Sequence, residues 1–175
     1  MDWSYILVII AFLVYWAYNM YILHLFGVPH SLSMTYYLFQ EKKVGKKWYF
    51  PLMMFTVALL LLPSWIEISD GSDLQFLAFL SVASICFTGS APAFFSSKLE
   101  YNVHMISAYM ATICALLWVI FVANALHIVI IWFLVMLLFS IFTRSIKSSY
   151  IYWIENIALL STFCSILVYY TNKGI

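Results

Sequence analysis

Six stretches of this chain, about 3 to 26, 48 to 68, 74 to 91, 103 to 123, 125 to 143 and 150 to 171, are apolar over close to the length that a membrane-spanning helix requires. A hydrocarbon core of about 30 Å takes roughly 20 such residues. The fourth and fifth runs nearly merge, but a continuous helix from 103 to 143 would be about 61 Å long, twice the bilayer. The chain must therefore fold back, and Asn124 is the only strongly polar residue between Thr112 and His127 at which a tight helical hairpin can turn. With 66% hydrophobic and only 9% charged residues, a soluble globular domain is excluded.

Sidedness follows from the basic residues, because Lys and Arg close to span ends stay cytoplasmic. Placing the N-terminus outside puts Lys42, Lys43, Lys46, Lys47, Lys98, Arg144 and Lys147 in the inner loops, leaving only Lys173 outside with Asp2, Glu67, Asp70 and Asp73. The expectation is an all-α bundle of six transmembrane helices. It occupies residues 1–175 as one domain of a bacterial-type inner (cytoplasmic) membrane, with both termini on the non-cytoplasmic side. No Lys or Arg precedes the first apolar run, so a cleaved signal peptide is not expected. A formal charge of +1 and scattered basic residues give no nucleic-acid footprint. Cys86, Cys114 and Cys164 lie in apolar segments without CxxC or zinc spacing and read as reduced, buried thiols.

Small and polar residues mark the faces on which helices meet in lipid. His104, Ser107, Ala108, Ala111, Thr112 and Ala115 form such a stripe on the fourth span, and Ser81, Ser84 and Thr88 on the third, so these two helices are expected at the centre. The fifth span is apolar on all sides except at Ser140 and is expected at the periphery. The third span ends in Gly89, Ser90, Ala91 and Pro92, where proline forbids a regular helix. Gly89, Pro92 and, after the first span, Pro29 are the expected breaks or gates.

At the lysine-flanked rim the same topology gathers His24, His30, His104, the broken end of span three and Glu155, with Asn19, Ser107 and Tyr152 about a turn away. A carboxylate inside a span is costly and is a functional-site candidate by default, facing the interior and pairing with something. Glu155 is the expected charged centre of a polar cavity, with His24 or His104 as its partner. Residues 31 to 43 read as a short interfacial helix covering this cavity, since Leu32, Tyr36 and Phe39 share one face. Lys42, Lys43, Lys46 and Lys47 then meet the anionic headgroups of membrane lipids.

Several chemistries remain open at this rim. A purely structural hydrogen-bond network is one. A metal held by His24, His104 and Glu155 is another, although no HxxxH pair or HExxH motif is present. Haem between His24 and His104 and nucleophilic use of Ser31, Ser33 or Ser90 have no supporting motif, and no cofactor is named by the residues. A conduit for a small solute or ion could be lined by spans one, three, four and six, and a wide pore would require a homo-oligomer. The reading carried forward is binding or passage of a small solute, ion or lipid headgroup through a cytoplasm-facing cavity. Its alternatives are a metal-dependent membrane enzyme acting on lipid-like substrates and an accessory subunit of a membrane complex.

The blocks GVPHSLSMTYY (27 to 37), TGSAPAFF (88 to 95) and NVHMISAY (102 to 109) resemble those of small polytopic membrane proteins of bacteria and their phages, a family without an assigned activity. The resemblance implies a small helical membrane protein and supplies no mechanism. Metal-dependent lipid hydrolases of the ceramidase type are also small helical bundles with inward histidines, but their terminal paired histidines have no counterpart in the sixth span.

Overall fold

The computed structural model describes residues 3–174. Its described residues form seven helices and no strand: α1 (Trp3–Phe26), α2 (Thr35–Glu41), α3 (Tyr49–Ser69), α4 (Phe76–Ser90), α5 (Lys98–Phe121), α6 (Leu126–Phe142) and α7 (Tyr150–Asn172). Helices α1, α3, α5 and α7 are each long and apolar enough to cross a membrane, which is the make-up of a membrane protein. The other two apolar helices are shorter than their apolar runs. α4 has 15 residues and α6 has 17, about 22 and 26 Å at 1.5 Å per residue. The expected acidic residue Asp2 lies outside the described residues.

Local chemistry sets the helix ends. Gly27 stands at φ +70 just past α1, and its amide donates to the Leu23 carbonyl at 3.0 Å, a left-handed stop that glycine accepts without a Cβ penalty. Ala91 leaves helical geometry at φ −112, ψ 55, directly before Pro92, so α4 breaks where the sequence expects. α5 begins five residues earlier than the apolar run at 103, because Ser97 is an N-cap whose hydroxyl accepts from the Glu100 amide at 3.1 Å. The α5–α6 turn passes through Asn124 at φ +50, the residue expected there.

The centre of the bundle differs in part from the expectation. α7 buries 12 of its 23 residues and α4 buries 8 of its 15, but α5 only 6 of its 24, so α4 is central as expected and its partner in burial is α7 instead of α5. The hydroxyl stripes explain the difference. Ser81, Thr112, Thr162 and Ser165 each donate to a carbonyl four residues back on their own helix, so they do not tie one helix to another. The exception is Thr88, which also donates to Ser107 Oγ at 3.0 Å and joins α4 to α5. Gly89 lies inside α4, where an added Cβ would stand 3.1 Å from Met54 Cβ. It therefore permits close approach of α3 and α4, and the break itself falls at Ala91–Pro92. α6 buries only Ile128, Met136 and Ser140 and packs on α7 at the periphery, as expected.

At the end of the bundle away from the lysine-rich loops, the core is filled. Trp65 and Trp118 are fully buried and meet edge to face at 6.0 Å, with Leu61, Phe163, Ile166 and Tyr170 also fully buried. Trp118 Nε1 donates to Ser69 Oγ at 2.7 Å, and the Tyr170 hydroxyl donates to Glu67 Oε2 at 2.7 Å and lies 3.2 Å from Ser64 Oγ. Lys173 closes the assembly with an ion pair to Glu67 at 2.7 Å.

Candidate functional site

At the lysine-flanked end, a hydrogen-bonded ring locks α1 to α7. The Tyr15 hydroxyl donates to Asn156 Oδ1 at 2.5 Å, and the Tyr152 hydroxyl donates to Asn19 Oδ1 at 2.9 Å. Each amide returns its own nitrogen to a backbone carbonyl of the tyrosine on its helix, Asn156 to Tyr152 at 2.7 Å and Asn19 to Tyr15 at 3.0 Å. All four side chains are buried, and every polar atom named has a partner, the arrangement that makes a network favourable in low dielectric. One step outward, the Tyr18 hydroxyl meets Thr35 Oγ1, which also donates to the Leu32 carbonyl at 2.5 Å. The ring is thereby joined to the segment before α2.

That segment is the lid the sequence suggests, shorter than expected. Residues 32 to 34 form a turn, and helix proper covers only Thr35–Glu41. Leu32, Tyr36 and Phe39 are all buried beneath it. The lid is anchored by Glu155, whose Oε2 accepts from the Leu32 amide at 2.7 Å, and by the His30 carbonyl, which accepts from the Tyr152 amide at 3.1 Å. The second contact satisfies a donor in the first turn of α7, one of the amides a helix start leaves unpaired. Pro29 is buried in this crossing, flanked by bends at Val28 and His30.

His104 performs a related task at the broken end of α4. It is buried, its Nδ1 donates to the Ala91 carbonyl at 3.0 Å, and its ring stacks on Phe94 at 4.4 Å. Since a carbonyl only accepts, Nδ1 carries the proton, and in the neutral ring Nε2 is left as an acceptor. The break is further tied to the lid through the Phe95 amide, which donates to the Tyr37 hydroxyl at 2.7 Å.

Between α5 and α7, under the lid, lies a cleft of about 620 Å³. His30, Ser31, Ser33, His104 and Glu155 form its polar lining, whereas Met105, Ile113, Leu116, Ile151 and Ile154 form its apolar lining. Tyr101, Tyr109, Ile113, Tyr150 and Ile154 are both lining and exposed, so the cleft opens on the flank of the bundle. Glu155 also borders an inner void of about 40 Å³ enclosed by Leu32, Phe50, Met54 and Ile85, and so stands at the junction of flank and core.

Several of the expected site residues converge here. Glu155, His104 and His30 share the cleft, and Asn19 and Tyr152 sit in the ring behind it. Ser107 is buried on the α4 side of α5, bonded to Thr88 and to the Val103 and His104 carbonyls. His24 does not join them. It is exposed, because five residues separate it from Asn19, and at about 100° per residue it lies some 140° round the helix from the buried face. Neither histidine forms an ion pair with Glu155, so the expected carboxylate–histidine pairing is replaced by the Leu32 amide. Among the described residues no group of three or more His, Cys, Asp or Glu converges to hold a metal, and His24, His104 and Glu155 do not form one. Ser31 and Ser33 bond to one another at 3.0 Å, and Ser90 to the Cys86 carbonyl, and none of the three hydrogen-bonds a histidine or carboxylate.

Sequence reasoning missed Asn156, Thr35 and the aromatic rim of Phe94, Phe95, Tyr101 and Tyr109. A primary amide in mid-span, four residues after Tyr152, was the available signal for Asn156. The four lysines expected at lipid headgroups are exposed, and three of them lean on rings: Lys42 over Phe26, Lys46 over Trp48 and Lys47 over Tyr36, at 5.3 to 5.8 Å. No protein-family model, curated protein or solved structure matches this chain.

Proposed function

We propose that this is a six-span inner-membrane protein, with its lysine-rich loops in the cytoplasm, that binds a small amphiphile in the α5/α7 cleft. The single observation behind this reading is the composition of that cleft. It combines a polar with an apolar lining, opens on the flank, and at about 620 Å³ has the size of sites that enclose small organic ligands. Passage of a solute through one chain finds no support, because the far half of the core is filled by Trp65, Trp118, Phe163 and Ile166. Binding is favoured over transport for that reason. In this topology α4 and α6 cross as short helices, with the non-helical segment 91–97 completing the third crossing at the rim.

Native mass spectrometry of the protein released from membranes in a mild neutral detergent tests the binding reading. A bound amphiphile is expected on the wild type and not on Ile113→Trp, which adds an indole to the apolar lining of the cleft. Equal retention by both proteins, or retention by neither, contradicts it. Labelling of cysteines introduced at Lys43 and Ser72 with an impermeant reagent checks the sidedness, and the two should label from opposite faces of the membrane.

A further inference from the structure

Glu155 is the one acidic residue that lines the cleft, and its pairing is incomplete. Its Oε2 has the Leu32 amide, Oε1 has no hydrogen-bond partner, and no basic nitrogen lies within ion-pairing distance of either oxygen. No Lys or Arg lines the cleft at all, although seven of the eight basic residues of the chain belong to loops at this end. An ionised carboxylate beside an apolar cavity is unfavourable unless it takes up a proton or a cation joins it. The rest of the rim suits a cation as well. Phe94, Phe95, Tyr101, Tyr109 and Tyr150 present aromatic rings, which attract cations through their faces. Ser31 and Ser33 supply hydroxyl oxygens, and His104 has its Nδ1 committed to Ala91. An anionic head would meet Glu155 with nothing to neutralise either charge.

Resting on the binding reading above, we propose that the ligand is a single-chain amphiphile with an ammonium head, drawn sideways from the membrane. The head sits against Glu155 Oε1 among the rim aromatics. The chain runs along α5 from His104 toward Leu116, 12 residues or about 18 Å on, between Ile113 and Ile154. The lysine loops outside repel free cations from the aqueous side, so the flank opening is the entry route.

Competition for a fluorescent alkylammonium probe by the purified protein in maltoside micelles tests this. Hexadecylammonium should compete at least ten-fold better than hexadecyl sulfate or hexadecanol, and butylammonium at least a hundred-fold worse than hexadecylammonium. Glu155→Gln keeps an acceptor for the Leu32 amide, and it should collapse the ammonium preference to within two-fold while leaving hexadecanol unchanged. Tyr109→Leu, a change at an exposed position, should weaken the ammonium two- to five-fold and the alcohol little. Equal binding of all three long-chain compounds, abolished by Ile113→Trp, would overturn the ammonium head and leave the cleft standing. Preference for the sulfate, or a Glu155→Gln protein that keeps the full preference, would overturn it too. Butylammonium equal to hexadecylammonium would overturn the membrane-derived chain. No binding by any compound removes both readings together.

Discussion

The two ends of the bundle use similar side chains to opposite effect. At the far end most of the polar groups are paired: Glu67 has the Tyr170 hydroxyl on one oxygen and Lys173 on the other, and Trp118 has Ser69, while the indole nitrogen of Trp65 is buried without a partner. Beyond the filled core lies a surface depression of about 560 Å³ over the α5–α6 turn, lined by residues such as Asn124, His127 and Lys173. At the lysine-flanked end, the buried ring of Tyr15, Asn19, Tyr152 and Asn156 is equally complete, but Glu155, one residue before Asn156, retains an open oxygen beside a cavity. Two carboxylates on apolar helices thus differ by their partners, one serving as a clamp and the other facing the cleft. Polar residues inside apolar helices are expected to be either paired or functional, and this molecule holds an example of each.

Variants that separate the ends sharpen this contrast. Trp118→Ala empties a fully buried site at the filled end and should lower stability by about 3–5 kcal/mol, read as thermal unfolding in detergent. The folded fraction should bind at the cleft as the wild type does. Asn156→Leu strands the Tyr15 hydroxyl within the ring. The same assay should register a loss of about 1–2 kcal/mol, in keeping with hydrogen bonds between helices in membranes. Lys173→Ala removes an ion pair whose lysine is 47% exposed, and less than about 1 kcal/mol should be lost. Glu155→Gln should change stability least and ligand preference most; a loss of stability as large as that of Asn156→Leu would make Glu155 a second clamp and erase the difference between the ends.

Much of this architecture could be read from the residues alone. The extents of α1, α3 and α7, the hairpin at Asn124, the break before Pro92 and the lid over the rim follow from apolar run length, polar interruption and proline geometry. The start of α5 did not, because its first turn is polar and the Ser97–Glu100 cap lies outside the apolar run. That α7 and not α5 shares the core with α4 was also hidden. A serine or threonine stripe looks alike whether it bonds across helices or back onto its own carbonyls, and most here bond back. His24 and His104 are equally polar in the sequence, yet helical phase sends one outward, and a broken helix end captures the other. The α5/α7 cleft depends on how two helices far apart in sequence diverge, which no local pattern encodes.

The central claim is that the rim opens into a cleft while the opposite end is packed shut. In a protein whose Cys86, Cys114 and Cys164 are replaced by alanine, the measurement is the rate at which a small cationic thiosulfonate modifies Met105→Cys in the cleft and Ser64→Cys at the far end. Met105→Cys should react at least a hundred-fold faster, and hexadecylammonium should protect it, whereas Ser64→Cys should react only after unfolding. Equal rates at the two positions, or a Met105→Cys as resistant as Ser64→Cys, would contradict the account.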